Sequence, residues 1–236
     1  MVRLSLLWTL CLFLSPLLVL QGLWVRRTAE RLPEAVGSHA GGEGEYRILV
    51  MGDSVVAGVG VKETKDALPA RLSQQISALR AKGVSWRSFG HNGDQLRDML
   101  RRLPMIEGPA ELVVVNIGVN DVTGLTSMMR WQLELTSLVA ELTQRFRAPI
   151  VFLGLPPVHS FPLLPQPLRF ALGVRARMLD HSLKRVGELV PSVTYIATDL
   201  PLDTADMAED GYHPSVAIID AWVLKIAARI QQENLI

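Results

Sequence analysis

The pattern of this chain predicts a parallel α/β fold preceded by an apolar helix. Three observations carry that prediction. From residue 46 onward, short apolar runs alternate with longer segments of helical periodicity. Two of the runs, 112–117 (LVVVNI) and 150–155 (IVFLGL), are almost continuously apolar, as strands buried on both faces are. Residues 4–25 form an uncharged stretch of 22 residues.

Taken in order, that stretch comes first. As one helix it would span about 33 Å, enough for a bilayer core. Trp8 and Trp24 sit near its ends, where membrane interfaces favour indole rings, and Arg3, Arg26 and Arg27 flank it. An uncleaved anchor over residues 1–27 fits better than a cleaved signal peptide. The run exceeds the roughly 7–15 residues of a signal's apolar region, and no small-residue cleavage site follows it directly. Cys11 has no small-residue lipoprotein box before it. By the positive-inside rule, Arg26, Arg27 and Arg31 would hold the domain in the cytoplasm. Export is the more usual purpose of such a segment, so the expectation is a membrane-anchored or exported chain with its domain on the extracytoplasmic side.

Residues 28–45 read as a linker, with Gly37, Gly41, Gly42 and Gly44, four glutamates and no apolar periodicity. Residues 46–236 then make one domain of ordinary size. Its strand candidates are 46–51 (YRILVM), 86–89, 112–117, 150–155 and 193–196. Leu68, Leu72, Ile76 and Leu79 step at helical spacing after Asp66, the expected N-cap. Met128, Trp131, Leu135, Leu138 and Leu142 form a second stripe. Ile218, Ile219, Trp222, Val223, Ile226, Ala227 and Ile230 form a third, with Ser215 as its N-cap. Strand–helix alternation of this kind builds a parallel sheet with helices on both faces. Ligands then bind beyond the C-terminal ends of the strands.

Composition excludes several functions. With 49% hydrophobic and 20% charged residues, the chain is not intrinsically disordered. A net charge of +1 argues against nucleic acid as a partner, because phosphate binding wants a clear basic excess. The single cysteine, Cys11, rules out an intrachain disulfide and a cysteine zinc cluster. A phosphate loop fails on spacing: Gly52 and Gly58 stand one residue too far apart, and Val59 replaces the lysine. A metal site could recruit Asp53, Asp121, Asn120, His91 and His213, but the paired ligand spacings are missing.

Four short motifs follow strands or precede the last helix. Gly52-Asp53-Ser54 follows the first strand; alone it could be an ordinary turn. Asn92-Gly93-Asp94 follows the second, where a glycine brings a backbone N–H close to a ligand. Gly118-Val119-Asn120-Asp121 follows the third. It offers a side-chain amide to a developing oxyanion, with Asp121 as a structural cap. Asp210-Gly211-Tyr212-His213 precedes the last helix. An aspartate three residues before a histidine can fix the imidazole tautomer and leave Nε2 free to take a proton. Together they supply a serine acyl-transfer site: Ser54 as nucleophile, His213 as base, Asp210 as orienter, and oxyanion donors.

This set resembles the SGNH hydrolases, the GDSL esterase/lipase family. Ser54 matches the serine of the first block (VMGDSVVAG), Gly93 the glycine of the second (HNGDQ), Asn120 the asparagine of the third (GVND), and Asp210 with His213 the last (DGYH). Val55 stands where the family name has leucine. The resemblance implies a three-layer α/β/α, flavodoxin-like fold with a five-stranded parallel sheet. It also implies an oxyanion trio of the Ser54 amide, the Gly93 amide and the Asn120 side chain, and no cofactor.

The expected activity is hydrolysis of carboxylic esters (lipid, lysophospholipid or short acyl) through an acyl-enzyme on Ser54, lost in acid as His213 gains a proton. Two alternatives stay open: acyl transfer or deacetylation on cell-envelope glycans, and an inactive anchored binding domain. The expected partners are a small-molecule or lipid ester and the membrane. Among the other histidines, His39 falls in the linker, His91 in a loop beside the second block and His181 in a helix, while His159 could line the pocket. Residues 158–173 read as an apolar, proline-stiffened loop, either an acyl-pocket wall, a membrane-facing lip or packing on the core.

Overall fold

The computed structural model describes residues 2–198 and 207–236. In chain order it contains α1 (Val2–Leu12), α2 (Ser15–Thr28), β1 (Ala40–Gly41), β2 (Tyr46–Gly52), α3 (Ser54–Ala57), α4 (Leu68–Arg80) and β3 (Val84–Gly90). There follow α5 (Leu96–Arg102), β4 (Leu112–Asn116), α6 (Val119–Thr123), α7 (Met128–Phe146), β5 (Ile150–Leu153), α8 (Leu168–Leu189), β6 (Val193–Ile196) and α9 (Val216–Gln232).

The strands lie in the order β1-β3-β2-β4-β5-β6. β2 to β6 are parallel, and the five predicted strands are those five. The sheet nevertheless has six strands and is mixed: β1 pairs antiparallel with β3 at its edge. A two-residue strand in a glycine-rich segment has no apolar alternation to reveal it. Glycine itself makes the pairing possible, since a Cβ at Gly41 would lie 3.1 Å from the Trp86 indole. The segment 28–45 follows the domain in other places too. Val36 N–H donates to Lys62 O at 3.0 Å, and Asn92 N–H donates to the Glu34 carboxylate at 3.0 Å.

Two apolar layers sandwich the sheet. One holds Leu68, Leu72 and Ile76 of α4 with Ile219, Trp222 and Ile226 of α9, packed on Ile48, Val50, Val114 and Val151. The other holds Leu96 and Met99 of α5, the Trp131–Leu142 stripe of α7 and Leu179 and Leu183 of α8, packed on Met51, Val113 and Phe152. β4 and β5 are buried throughout, as their continuous apolar runs predict.

Three local expectations are corrected and a fourth, the Ser215 N-cap, is refined. The apolar stretch is not one helix. It breaks between α1 and α2, which bend by 83°, and among the described residues no single helix is long and apolar enough to cross a membrane. Pro16 stands in the first turn of α2, where a missing N–H costs nothing, and the same ring would disrupt a continuous helix. Asp66 does not cap α4. Ala67 holds that position, and Asp66 pairs with Arg71 at 2.6 Å instead. Ser215 is the N-cap of α9, but its side chain makes no capping bond. Finally, α8 begins inside the segment read as a loop. Its stripe of Leu168, Leu172, Ala176, Leu179 and Leu183 is helical, and the prolines just before it obscured the start.

Trp131 ties this core to the sheet's C-terminal edge. It is fully buried, its indole N–H donates to Leu179 O at 3.2 Å, and its ring lies under Gly118. Truncation to alanine should cost about 3–5 kcal/mol, the usual loss for a buried tryptophan. Urea unfolding of Trp131→Ala against the unsubstituted chain measures it.

Candidate active site

The C-terminal ends of β2, β3 and β4 bring the first three motifs together. β2 pairs with β3 on one side and β4 on the other, with Gly52 opposite Gly90 and Asn116. Gly52 cannot be larger: a Cβ there would lie 2.2 Å from the Asn116 carbonyl. The chain leaves β2 at Asp53, which caps the one-turn helix α3 by accepting from Val55 N–H at 3.4 Å. Ser54 is the first residue of that turn and is buried.

Gly93 lies in the turn after β3, with φ of +85° and open space where a Cβ would be. Asn120 lies in α6 just past β4. Its Nδ2 donates to Asp94 O at 3.0 Å, which fixes the plane of the amide, and its own carbonyl accepts from Gln95 Nε2 at 3.1 Å. The motifs after β3 and β4 are thus tied to each other. Asp121 completes the tie from within the core. It is fully buried, accepting from Leu96 N–H at 2.9 Å and from the Thr126 hydroxyl at 2.7 Å.

The fourth motif reaches the site from the loop before α9. His213 Nδ1 and Asp210 Oδ2 are 2.5 Å apart, and Asp210 Oδ1 accepts from Tyr212 N–H at 2.9 Å and His213 N–H at 3.0 Å. Gly211, with φ of +63°, makes this tight turn possible. One small cavity is lined by Ser54, His213, Val119 and Pro156, with Trp222 and Ile218 of α9.

Electrostatics separates the carboxylates. Burial penalises the Asp210 anion, but the hydrogen bonds from the His213 ring, His213 N–H and Tyr212 N–H outweigh it and hold this carboxyl below its ordinary value. Burial pushes Asp53 up to about 7, against its bond from Val55 and with help from the nearby Asp121 and Asp94 charges. Burial raises Asp121 to about 6 despite its two hydrogen bonds. Of these three, the group that keeps its charge most firmly is the one bonded to the histidine. A carboxylate so placed accepts the Nδ1 proton and directs Nε2 away from itself.

Several contributors were not foreseen. Tyr212 packs edge-on against both His213 and Phe161, with ring centroids 5.2 Å apart in each pair. Gly60 packs against the His213-Pro214 segment, where a Cβ would lie 2.7 Å from the Pro214 carbonyl oxygen and 3.1 Å from the His213 Cβ. Tyr212 stands inside the DGYH motif, and Gly60 lies just past the Gly52–Gly58 stretch weighed as a phosphate loop. The remaining histidines stay apart from this pair. His91 stacks edge-on with Phe89, while His159 is exposed on the turn Val158–Ser160. Among the described residues, no group of three or more His, Cys, Asp or Glu is placed to hold a metal.

Residues 50–218 match the model of the GDSL-like Lipase/Acylhydrolase family. No curated protein matches the chain in sequence. Among solved structures, the lipase/acylhydrolase from Enterococcus faecalis is 22% identical with a TM-score of 0.63, over 80% of this chain and 96% of that one. TesA is also 22% identical, with a TM-score of 0.64 over 80% and 99%. The acetylxylan esterase Axe2 from Geobacillus stearothermophilus is 20% identical, with a TM-score of 0.59 over 80% and 94%. At these identities the likeness is one of fold.

The raised value at Asp53 has a consequence for stability. The folded chain keeps this proton up to about pH 7, whereas the unfolded chain releases it near the ordinary carboxylate value. The folded state therefore binds more protons in that window, and stability falls as pH rises through it. Asp53→Asn removes the titration. Moving from pH 5 to pH 8, the variant should gain roughly 1–3 kcal/mol relative to the unsubstituted chain. Urea midpoints at the two pH values measure this.

Proposed function

Since the chain belongs to the GDSL-like lipase/acylhydrolase family and is an esterase-type hydrolase, we propose that it cleaves carboxylic esters through an acyl-enzyme on Ser54. The observation that carries this reading is the Asp210–His213 pair on the cavity that Ser54 also lines. Ser54 Oγ attacks the ester carbonyl carbon while His213 Nε2 takes the hydroxyl proton. The carbonyl π electrons move onto oxygen, and the oxyanion is held by the Ser54 and Gly93 amides and the Asn120 side chain. The carbon–oxygen bond to the leaving alcohol then breaks, and His213 returns the proton to that alcohol. Water attacks the acyl-enzyme, His213 takes its proton, and the Ser54–acyl bond breaks to give the carboxylic acid. The proton returns to Ser54. No group outside the chain is needed for these steps.

Each role has a physical support. The Asp210 carboxylate stabilises the imidazolium that forms in each half-reaction. The bond from Asn120 to Asp94 O holds the amide before the reaction, so little reorganisation is required as charge develops. The open space at Gly93 lets a substrate approach its N–H.

The reading extends to the membrane. Phe13, between α1 and α2, and Leu20 and Trp24 of α2 are more than half exposed. Exposed large apolar side chains of that kind fit a lipid interface. We place the domain on the extracytoplasmic face of that membrane. A topology reporter fused after Ile236 should be active only outside the cytoplasm; activity inside would reverse the orientation.

Hydrolysis of p-nitrophenyl acetate by the full chain tests the chemistry. Ser54→Ala and His213→Ala should each lower kcat by about 10³–10⁶, and Asp210→Asn by about 10³–10⁴. Asn120→Ala should lower it by about 10²–10³, the usual effect of removing one oxyanion donor. Full turnover in Ser54→Ala would refute the nucleophile.

A further inference from the structure

The Asp210–His213 pair faces more than the small cavity at Ser54. A groove of about 470 Å³ lies between the N-terminal helices and the domain, and Asp210, Tyr212 and His213 line it. Its other walls are mostly apolar, among them Leu18 and Gly22 of α2, Leu164 from the proline-rich loop, and Leu168 and Leu172 of α8. The volume falls in the range of about 300–1,000 Å³ usual for ligand sites. The charged lining residues besides Asp210 are Arg26 and Glu30, both exposed.

The helical wall is attached, not merely adjacent. The Gln21 amide bridges the start of α8, donating to Gln166 O at 2.6 Å and accepting from Leu168 N–H at 3.0 Å. Val25 is buried in the same apolar layer as α8. Trp8 lies over the guanidinium of Arg175, which is itself buried and donates to Thr126 O. Trp8, Gln21 and Val25 lie outside the 50–218 span that the family model matches, while the residues they hold lie inside it.

We propose that this groove binds the linear acyl chain of the ester while its carbonyl sits at Ser54, so that the N-terminal helices form one wall of the substrate site. The inference rests on the esterase reading and narrows it to esters of long, unbranched acyl groups. Two features favour that occupant. The groove meets the small cavity at Ser54 through Tyr212 and His213, which line both. Its apolar walls offer few hydrogen-bond partners to a sugar, whereas each methylene withdrawn from water favours binding by roughly fourfold.

Gly22 provides the test. It lines the groove on the helical backbone of α2, and a Cβ there meets no atom within 4 Å. Gly22→Phe should therefore fill the groove without forcing the backbone. The readout is the ratio of kcat/KM for p-nitrophenyl dodecanoate to that for the acetate, using the full chain. We expect the ratio to fall by about tenfold or more, with acetate turnover within about twofold of the unsubstituted chain. Val19→Trp, from another position lining the same groove, should move the ratio the same way. A ratio unchanged in both variants overturns the proposal. So does a loss confined to dodecyl acetate, which would assign the groove to the alcohol. Should the unsubstituted chain cleave no ester, the esterase reading falls by itself. Displacement of a fluorescent fatty acid by dodecanoate then decides the groove: competition that Gly22→Phe abolishes supports it, and no competition in the unsubstituted chain overturns it.

Discussion

The hydrogen bond between Asp210 and His213 sets the terms for the rest of the site. It works only if the carboxylate stays charged while almost wholly enclosed, and burial alone would drive it the other way. Three donors solve that problem, and two of them are backbone N–H groups of the residues that follow. The turn that presents those N–H groups needs a left-handed residue, which Gly211 supplies. Gly60 must then be small for its loop to approach the His213-Pro214 backbone. One ionised side chain in a dry place thus accounts for two glycines, a tight turn and the packing of Tyr212. The neighbouring Asp53 and Asp121 lack that number of donors and are more deeply enclosed, so burial pushes both upward, and the site distinguishes its carboxylates by hydrogen-bond supply and depth together.

What was legible in the sequence follows from which forces leave a periodic trace. β4 and β5 are buried on both faces, so their residues had to be apolar without interruption. α7 and α9 each bury one stripe, and their spacing showed it. β3 is only partly buried along most of its length, and its predicted extent was correspondingly short. β1 is held by backbone pairing beside a tryptophan, which imposes no side-chain pattern. The start of α8 was hidden because prolines punctuate the chain just before its apolar stripe begins. The site motifs were readable for a different reason: each combines short polar groups with a position at the end of a strand or just before the last helix. The bonds among them, such as Asn120 to Asp94 O, run across the sheet edge and had no local signature.

The N-terminal segment shows how composition and geometry can point apart. Twenty-two uncharged residues satisfy the length rule for a span, yet Ser15-Pro16 lies inside them and the chain turns there. The break changes what the segment can do. A straight helix would leave the domain at the end of a tether, with its apolar surface in lipid only. A bent pair can lie along the domain, burying Cys11 and Val25 while Phe13 and Trp24 stay exposed.

If the exposed apolar side chains of the N-terminal helices rest in lipid, as proposed, the groove they wall opens toward a hydrocarbon phase. An acyl chain passing from such a phase into the groove would exchange one apolar environment for another, so the hydrophobic effect would contribute little to that transfer. Selectivity would then come from the shape of the walls and from whether the ester carbonyl reaches Ser54 when the chain is seated. Under those conditions the Pro16 bend is part of the substrate site's geometry, because it directs α2 across the groove instead of away from it.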